Sequence, residues 1–179
     1  MKHQIIRIRN QSKDPSTDRY LAEVEDHILI YDAVAQTSNL ALDTILTDKS
    51  LYCEKNGIKL VYMVDGEKLA FMEEADIYNL FGNALDNAIE SVMKINDQDE
   101  RVVSLTVKTV GNLLSIHLDN AFSGTLNMED GLPTTTKAER ESHGYGLKSI
   151  RMTAEKYRGR LNVSAEHALF NLNIVIPIP

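Results

Sequence analysis

The sequence predicts an α/β fold, a two-layer sandwich in which helices cover one face of a mostly antiparallel or mixed sheet. Three observations carry this. From residue 40 onward, segments of helical and strand periodicity follow one another as helix, strand, helix, strand, strand, long loop, helix, strand, strand. Residues 101–110 and 113–118 are strand-like runs on either side of Gly111-Asn112, as paired strands around a tight turn are. In residues 77–93 the apolar side chains Ile77, Leu80, Phe81, Ala84, Leu85, Ala88, Ile89, Val92 and Met93 recur at helical spacing, which makes one buried helix face.

Taken in order, residues 1–37 read as a partial helical hairpin. Residues 1–9 form the tail of a basic amphipathic helix with Ile5, Ile6 and Ile8 apolar, and residues 10–18 are a polar turn, where Pro15 disfavours helix at the residue before it. Ser16, Thr17 or Asp18 can cap a second helix that runs to about Ala35 and carries Leu21, Val24, Ile28, Ile30 and Tyr31. So few large apolar side chains cannot bury a core of their own, so the hairpin has to pack on the rest of the chain or on a second copy.

Residues 38–179 make the main domain. Thr37-Ser38-Asn39 breaks the composition and caps a helix over about 40–55, with Leu42, Ile45, Leu46 and Leu51 inward and Asn56-Gly57 ending it. Residues 58–64 (IKLVYMV) are strand-like and Asp65-Gly66 marks a turn. The central helix spans 72–94, and a polar loop at 96–100 leads into the strand pair. Residues 120–142 hold no sustained period, and a loop of that length is uncommon unless functional. Gly144 and Gly146 lead into a helix over 147–158 that Gly159 closes, and strands over 161–165 and 169–178 finish the chain. No internal repeat or low-complexity tract interrupts this order.

Composition narrows the function classes. Among 179 residues, 26 acidic against 19 basic side chains leave a net charge of −7, which argues against a general nucleic-acid or anionic-membrane surface. A single cysteine, Cys53, permits no internal disulfide and no cysteine-based metal cluster. It fits a reducing, cytoplasmic setting, and the thiol reads as buried and inert. No apolar run reaches the roughly 18 residues of a spanning helix, and no signal peptide is visible.

The central helix carries an anomaly. Advancing about 100° per residue gathers Asn79, Asn83, Asp86, Asn87 and Glu90 into one polar wedge. Asparagine is a poor helix former, so helicity alone does not select three of them at this spacing. Amides and carboxylates are hard oxygen donors suited to Mg²⁺, which keeps several waters and is shared with substrate phosphates; the alternative is a solvated face that happens to be rich in asparagine. A second feature is Ser142-His143-Gly144-Tyr145-Gly146-Leu147, a glycine-bearing loop opening a helix, where backbone N–H groups bind phosphate. No strand directly precedes it and no Gly-Lys-Ser/Thr follows, so it is neither a Rossmann fingerprint nor a Walker loop.

The order of these parts is more specific than either alone: an asparagine-faced helix, a strand ending Leu118-Asp119-Asn120 with Gly124 beyond, a long lid, then Gly-x-Gly-Leu opening a helix. In this the chain resembles the ATP-binding domain of the GHKL superfamily, the Bergerat fold shared by DNA gyrase, the heat-shock chaperone ATPases, the mismatch-repair ATPases and histidine kinases. It looks closest to sensor histidine kinases of the accessory-gene-regulator, peptide quorum-sensing type, through Thr134-Thr135-Thr136-Lys137, the run His143 to Ile150, and Lys156-Tyr157. The resemblance covers residues 38–179 well and the hairpin more loosely.

That resemblance implies Mg²⁺ and ATP as cofactors, with Asn87 as the metal-binding asparagine. Asn83 stands where hydrolysing relatives carry a glutamate that activates water; an amide has no such basicity, which favours phosphoryl transfer to a protein nucleophile. Asn120 stands where most relatives have an aspartate accepting from the adenine amino group, and Gly124 retains a glycine of the adenine side. Thr136 and Lys137 of the lid, with His143, Gly144, Tyr145, Gly146 and Leu147 of the glycine loop, complete the nucleotide-binding set, while Lys137 and Arg140 can equally be a solvated charge run. The resemblance further implies the cytoplasmic catalytic portion of a membrane-bound sensor kinase, dimeric through the hairpin, relaying phosphate from a histidine to a response regulator, with the membrane region upstream of Met1. His3 is one candidate acceptor; Gln4 after it is no base, so Lys2-His3-Gln4 fits better as the later half of the acceptor pattern, with the acceptor itself before Met1. A nucleotide-binding pseudokinase is the alternative function, and a gyrase-type hydrolase a third.

Overall fold

A computed structural model describes residues 34–124, 128–133 and 145–179. The hairpin expected over residues 1–37, with His3, lies outside the described residues except for its last few positions. So do Thr136, Lys137, His143 and Gly144.

Helix α1 (Leu40–Lys55) begins where Asn39 caps it, the Asn39 side chain accepting from the Leu42 N–H at 3.1 Å, and Asn56 and Gly57 stop it. Strand β1 (Lys59–Val64) follows, then helix α2 (Glu74–Met93). β2 (Val102–Val110) and β3 (Leu113–Ala121) form the expected hairpin around Gly111, whose φ of 62° is the left-handed conformation such a turn needs. Two short strands, β4 (Met128–Glu129) and β5 (Leu132–Pro133), come next, then helix α3 (Gly146–Lys156) and strands β6 (Arg160–Glu166) and β7 (Leu169–Pro177).

Five strands join in the order β1-β2-β3-β7-β6, with β1 parallel to β2 and every other pair antiparallel. The sheet is therefore mixed, and the helices lie against one face. Alternation along β3 shows this: Leu114, Ile116, Leu118 and Asn120 are buried toward the helices, while the residues between them face the open side. The α2 stripe Ile77, Leu80, Phe81, Ala84, Leu85, Ala88 and Val92 is almost wholly buried with them; Met93, expected on that stripe, is 38% exposed at the last turn. Ala35–Pro179 forms one unit around this core.

Two departures from the sequence reading have plain causes. β3 runs through Asp119 and Asn120 to Ala121, past the strand-like run of 113–118, because β7 pairs with it as far as Ala121↔Leu169. Within the segment read as a loop, β4 and β5 pair around Asp130 and Gly131, both at positive φ, 51° and 72°. The Asp-Gly turn signal is present in the sequence, but strands of two residues leave no alternation to read.

Candidate functional site

α2 divides its polar wedge between two neighbours. Asp86 turns to α1 and pairs with Lys49 at 2.8 Å; burial works against the lysine's charge, but the Asp86 hydrogen bond prevails and raises its pKa. A cavity of about 460 Å³ on this flank is lined by Lys49, Tyr52, Asp86, Ile89, Glu90 and Met93. The asparagines face the other way, toward α3.

Asn79 is the joint between the two helices. Its Nδ2 donates to Thr153 Oγ1 at 2.7 Å, and its Oδ1 accepts from Ser149 Oγ and Asn83 Nδ2, each at 2.7 Å. Asn83 also donates to the Asn79 carbonyl at 2.7 Å. The sequence assigns no role to Ser149 or Thr153; they lie four residues apart on one face of a helix whose partner only the fold reveals. At the far end of the same contact, Lys156 meets Asp76 at 2.6 Å and Glu73 at 3.0 Å, and the Tyr157 hydroxyl donates to Asp76 at 2.6 Å while accepting from the Glu73 N–H at 2.9 Å. Burial pushes the Asp76 carboxyl up, but the Lys156 and Tyr157 hydrogen bonds outweigh it and hold it below the usual carboxylate range.

With the helices locked there, the start of α3 meets the middle of α2. A Cβ at Gly146 would lie 3.2 Å from Asn87 Nδ2, 3.3 Å from Asn87 Oδ1 and 3.6 Å from Asn83 Oδ1. Gly146 is thus the point where backbone approaches both amides. No side chain caps α3, and the N–H groups of a helix's first turn lack intrahelical acceptors, so this end is positive and ready for an anion. Tyr145 beside it is 76% exposed, while Leu147 packs against the core.

The strand side of the site comes from Asn120. It is 1% exposed and donates to the Ala121 carbonyl at 2.8 Å, an oxygen that Ser91 of α2 also contacts at 3.3 Å. Ser91 lies one turn beyond Asn87, so these contacts bring Asn87 and Asn120 to one region. Alternation puts Asn120 on the helix side of the sheet and Asp119 on the open face, the Asp119 Oδ2 2.7 Å from His117 Nε2. His117 also touches Asn173 through Nδ1. Beyond Asn120, Gly124 has a φ of 137°.

Among the described residues four buried side-chain atoms lack a hydrogen-bond partner: Thr37 Oγ1, Asp119 Oδ1 and, on the helix side of the sheet, two amide atoms, Asn87 Nδ2 and Asn120 Oδ1. Buried amide atoms are nearly always paired, and leaving one unpaired costs about 1–3 kcal/mol. The donor set fits a ligand that brings an acceptor to Asn87, a donor to Asn120 and negative charge to the start of α3. Among the described residues no group of three or more His, Cys, Asp or Glu side chains could hold a metal. A cation beside Asn87 would draw most of its ligands from the bound molecule and water.

Comparison with known proteins agrees with this arrangement. Residues 72–177, more than half the chain, match the GHKL domain family. The chain belongs to that family. Among solved structures, the catalytic domain of histidine kinase ThkA in a nucleotide-free form is similar at a TM-score of 0.59 and 18% identity, covering 78% of this chain and 92% of that one. A second nucleotide-free form of the same domain gives 0.59 and 17%, with 80% and 96% covered. Acinetobacter baumannii histidine kinase AdeS gives 0.53 and 12%, with 93% and 86% covered. At these identities the likeness is one of fold. No curated protein matches the chain. The mixed five-stranded sheet with helices on one face is thus the GHKL fold of histidine kinase catalytic domains. No described helix of this GHKL chain is long and apolar enough to cross a membrane.

Proposed function

We propose that this chain is the catalytic portion of a sensor histidine kinase that binds Mg-ATP between α2, the end of β3 and the start of α3, and passes the γ-phosphoryl to a histidine for relay to a response regulator. The observation that carries the reading is the pair of buried, unpaired amide atoms, Asn87 Nδ2 and Asn120 Oδ1, flanking the uncapped start of α3. In it, Asn120 Oδ1 accepts from the adenine amino group, and the first-turn N–H groups of α3 hold phosphate oxygens. Asn87 would hold Mg²⁺ through Oδ1, leaving Nδ2 to donate to a phosphate oxygen, and the ion would supply charge neutralisation on the transferring phosphoryl. Asn83 cannot activate water, and its amide is already engaged with Asn79, so the site favours transfer over hydrolysis. Thr136, Lys137, His143 and Gly144 join the nucleotide-binding set through the sequence resemblance alone. The accessory-gene-regulator subtype, a homodimer through residues 1–37 and the cytoplasmic side of a membrane protein complete the proposal on the resemblance of the sequence alone.

Titration with a fluorescent ATP analogue and Mg²⁺ tests binding, and incubation with γ-labelled ATP tests transfer. The reading expects analogue binding lost in Asn87→Ala and an acid-labile, base-stable phosphoprotein. Label lost in His3→Ala assigns His3; label seen only when a histidine-bearing helical hairpin is supplied assigns the acceptor elsewhere. A second reading, a nucleotide-responsive pseudokinase, rests on Asn120, whose neutral amide accepts more weakly than a carboxylate. Binding without any phosphoprotein would favour it. Absence of binding would overturn both, and steady phosphate release would indicate a hydrolase.

A further inference from the structure

The two edges of the sheet are built differently. β6 turns Arg160, Asn162, Ser164 and Glu166 to the open face, a polar border. β1, at the other edge, turns Val61 and Met63 there, 46% and 75% exposed. It carries no proline and no charge between its ends, devices that keep edge strands from pairing. The backbone is equally open. Lys59 N–H donates to the Arg101 carbonyl and Asp65 N–H to the Val107 carbonyl, so the odd-numbered residues bond β2. Leu60, Tyr62 and Val64 therefore turn their N–H and C=O groups outward. Among the described residues no strand pairs with that side.

This edge is complementary to itself. Two copies laid antiparallel about Tyr62 place Tyr62 opposite Tyr62, Leu60 opposite Val64, Val61 opposite Met63 and Lys59 opposite Asp65. The outward-facing residues then meet as hydrogen-bonded pairs, Val61 and Met63 form apolar pairs on the open face, and an opposite-charge pair closes each end. Centring the pair on Val61 instead sets Lys59 against Met63 and Asp65 against Gly57, and the charge pairs vanish. The carboxylate of Asp65 is available, since its nearest cation, Lys68, is 4.0 Å away and both are exposed. We propose that β1 is a homotypic interaction surface through which two copies of this chain join their sheets, antiparallel and centred on Tyr62. A second copy is the occupant because an antiparallel β1 supplies the matching end charges and the matching apolar pairs together, with the isologous symmetry of a two-fold dimer.

Cysteine cross-linking in the full chain tests the register. Directly opposite, non-hydrogen-bonded residues stand about 4.5 Å apart at Cα, within disulfide reach, whereas diagonal neighbours are about 7–8 Å apart, beyond it. A mixture of Val61→Cys and Met63→Cys chains under mild oxidation should give about tenfold more cross-linked dimer than either variant alone. Cys53, 1% exposed, stays out of the exchange. Adding Lys59→Glu to both chains sets like charges against Asp65 and should lower the yield; adding Asp65→Lys as well should restore it. All four positions are exposed, so the fold is untouched. A mixture that links no better than the single variants, like variants linking as readily, or charge exchange that fails to restore the yield would each overturn the proposal.

Discussion

Replacing Asn79 with alanine should loosen the joint between α2 and α3. The wild-type side chain makes three hydrogen bonds to other side chains, with Thr153, Ser149 and Asn83. Such bonds contribute a net of about 1 kcal/mol each. Thr153 is 4% exposed, so its hydroxyl would lose its partner where water reaches poorly, whereas Ser149 and Asn83 are half-buried and can turn to solvent. Alanine returns about 0.5 kcal/mol of helix propensity. The balance is a loss of about 2 kcal/mol, or about 4–8 °C in Tm for a chain of this size. Urea denaturation followed by circular dichroism reads it. A double-mutant cycle with Thr153→Val should return a coupling of about 1 kcal/mol. Because the joint sets where Gly146 meets Asn87, affinity for the ATP analogue should fall about tenfold in the folded variant. A loss below about 0.5 kcal/mol, the range of ordinary surface substitutions, with unchanged affinity would refute the reasoning.

Other expectations follow from the same geometry. Tyr157→Phe removes the hydroxyl that joins Asp76 to the Glu73 N–H and should cost about 1–2 kcal/mol by the same denaturation assay. The Asp76 carboxyl titrates below its ordinary value, so its contribution is present above the unfolded carboxylate pKa, about 3.9, and fades as pH falls through the lower folded value. Asp76→Asn should therefore flatten that part of the acid limb of a stability-pH curve. Gly66→Ala should destabilise by about 2–4 kcal/mol, since its Cβ would sit 2.4 Å from the Thr37 carbonyl oxygen; a Tm unchanged within error would contradict that packing. Asn120→Ala should weaken the ATP analogue about tenfold by removing the acceptor; unchanged affinity would count against an adenine donor at that position.

The elements were legible because each carries its own periodicity. α1 begins and ends where Asn39 and Asn56-Gly57 place it, and the β2–β3 hairpin turns at Gly111-Asn112, since caps and turns are local chemistry. The asparagine series of α2 was visible as an anomaly for the same reason. Its division was not. Sequence spacing put Asn79, Asn83, Asp86, Asn87 and Glu90 in one wedge, and only the packing of α1 and α3 on opposite flanks sent Asp86 to Lys49 and the asparagines to Gly146, Ser149 and Thr153. Likewise Asn120 was singled out through the resemblance alone, and only the pleat of β3 shows it buried on the helix side while Asp119 turns to His117. What the sequence by itself determined, then, is the order of elements, the residue types of the site and the family they resemble, because those rest on local propensity and spacing. The tertiary structure alone decided which buried amide atoms stay unpaired, which asparagine bolts the helices together and which sheet edge is open, because each depends on neighbours far away in the chain.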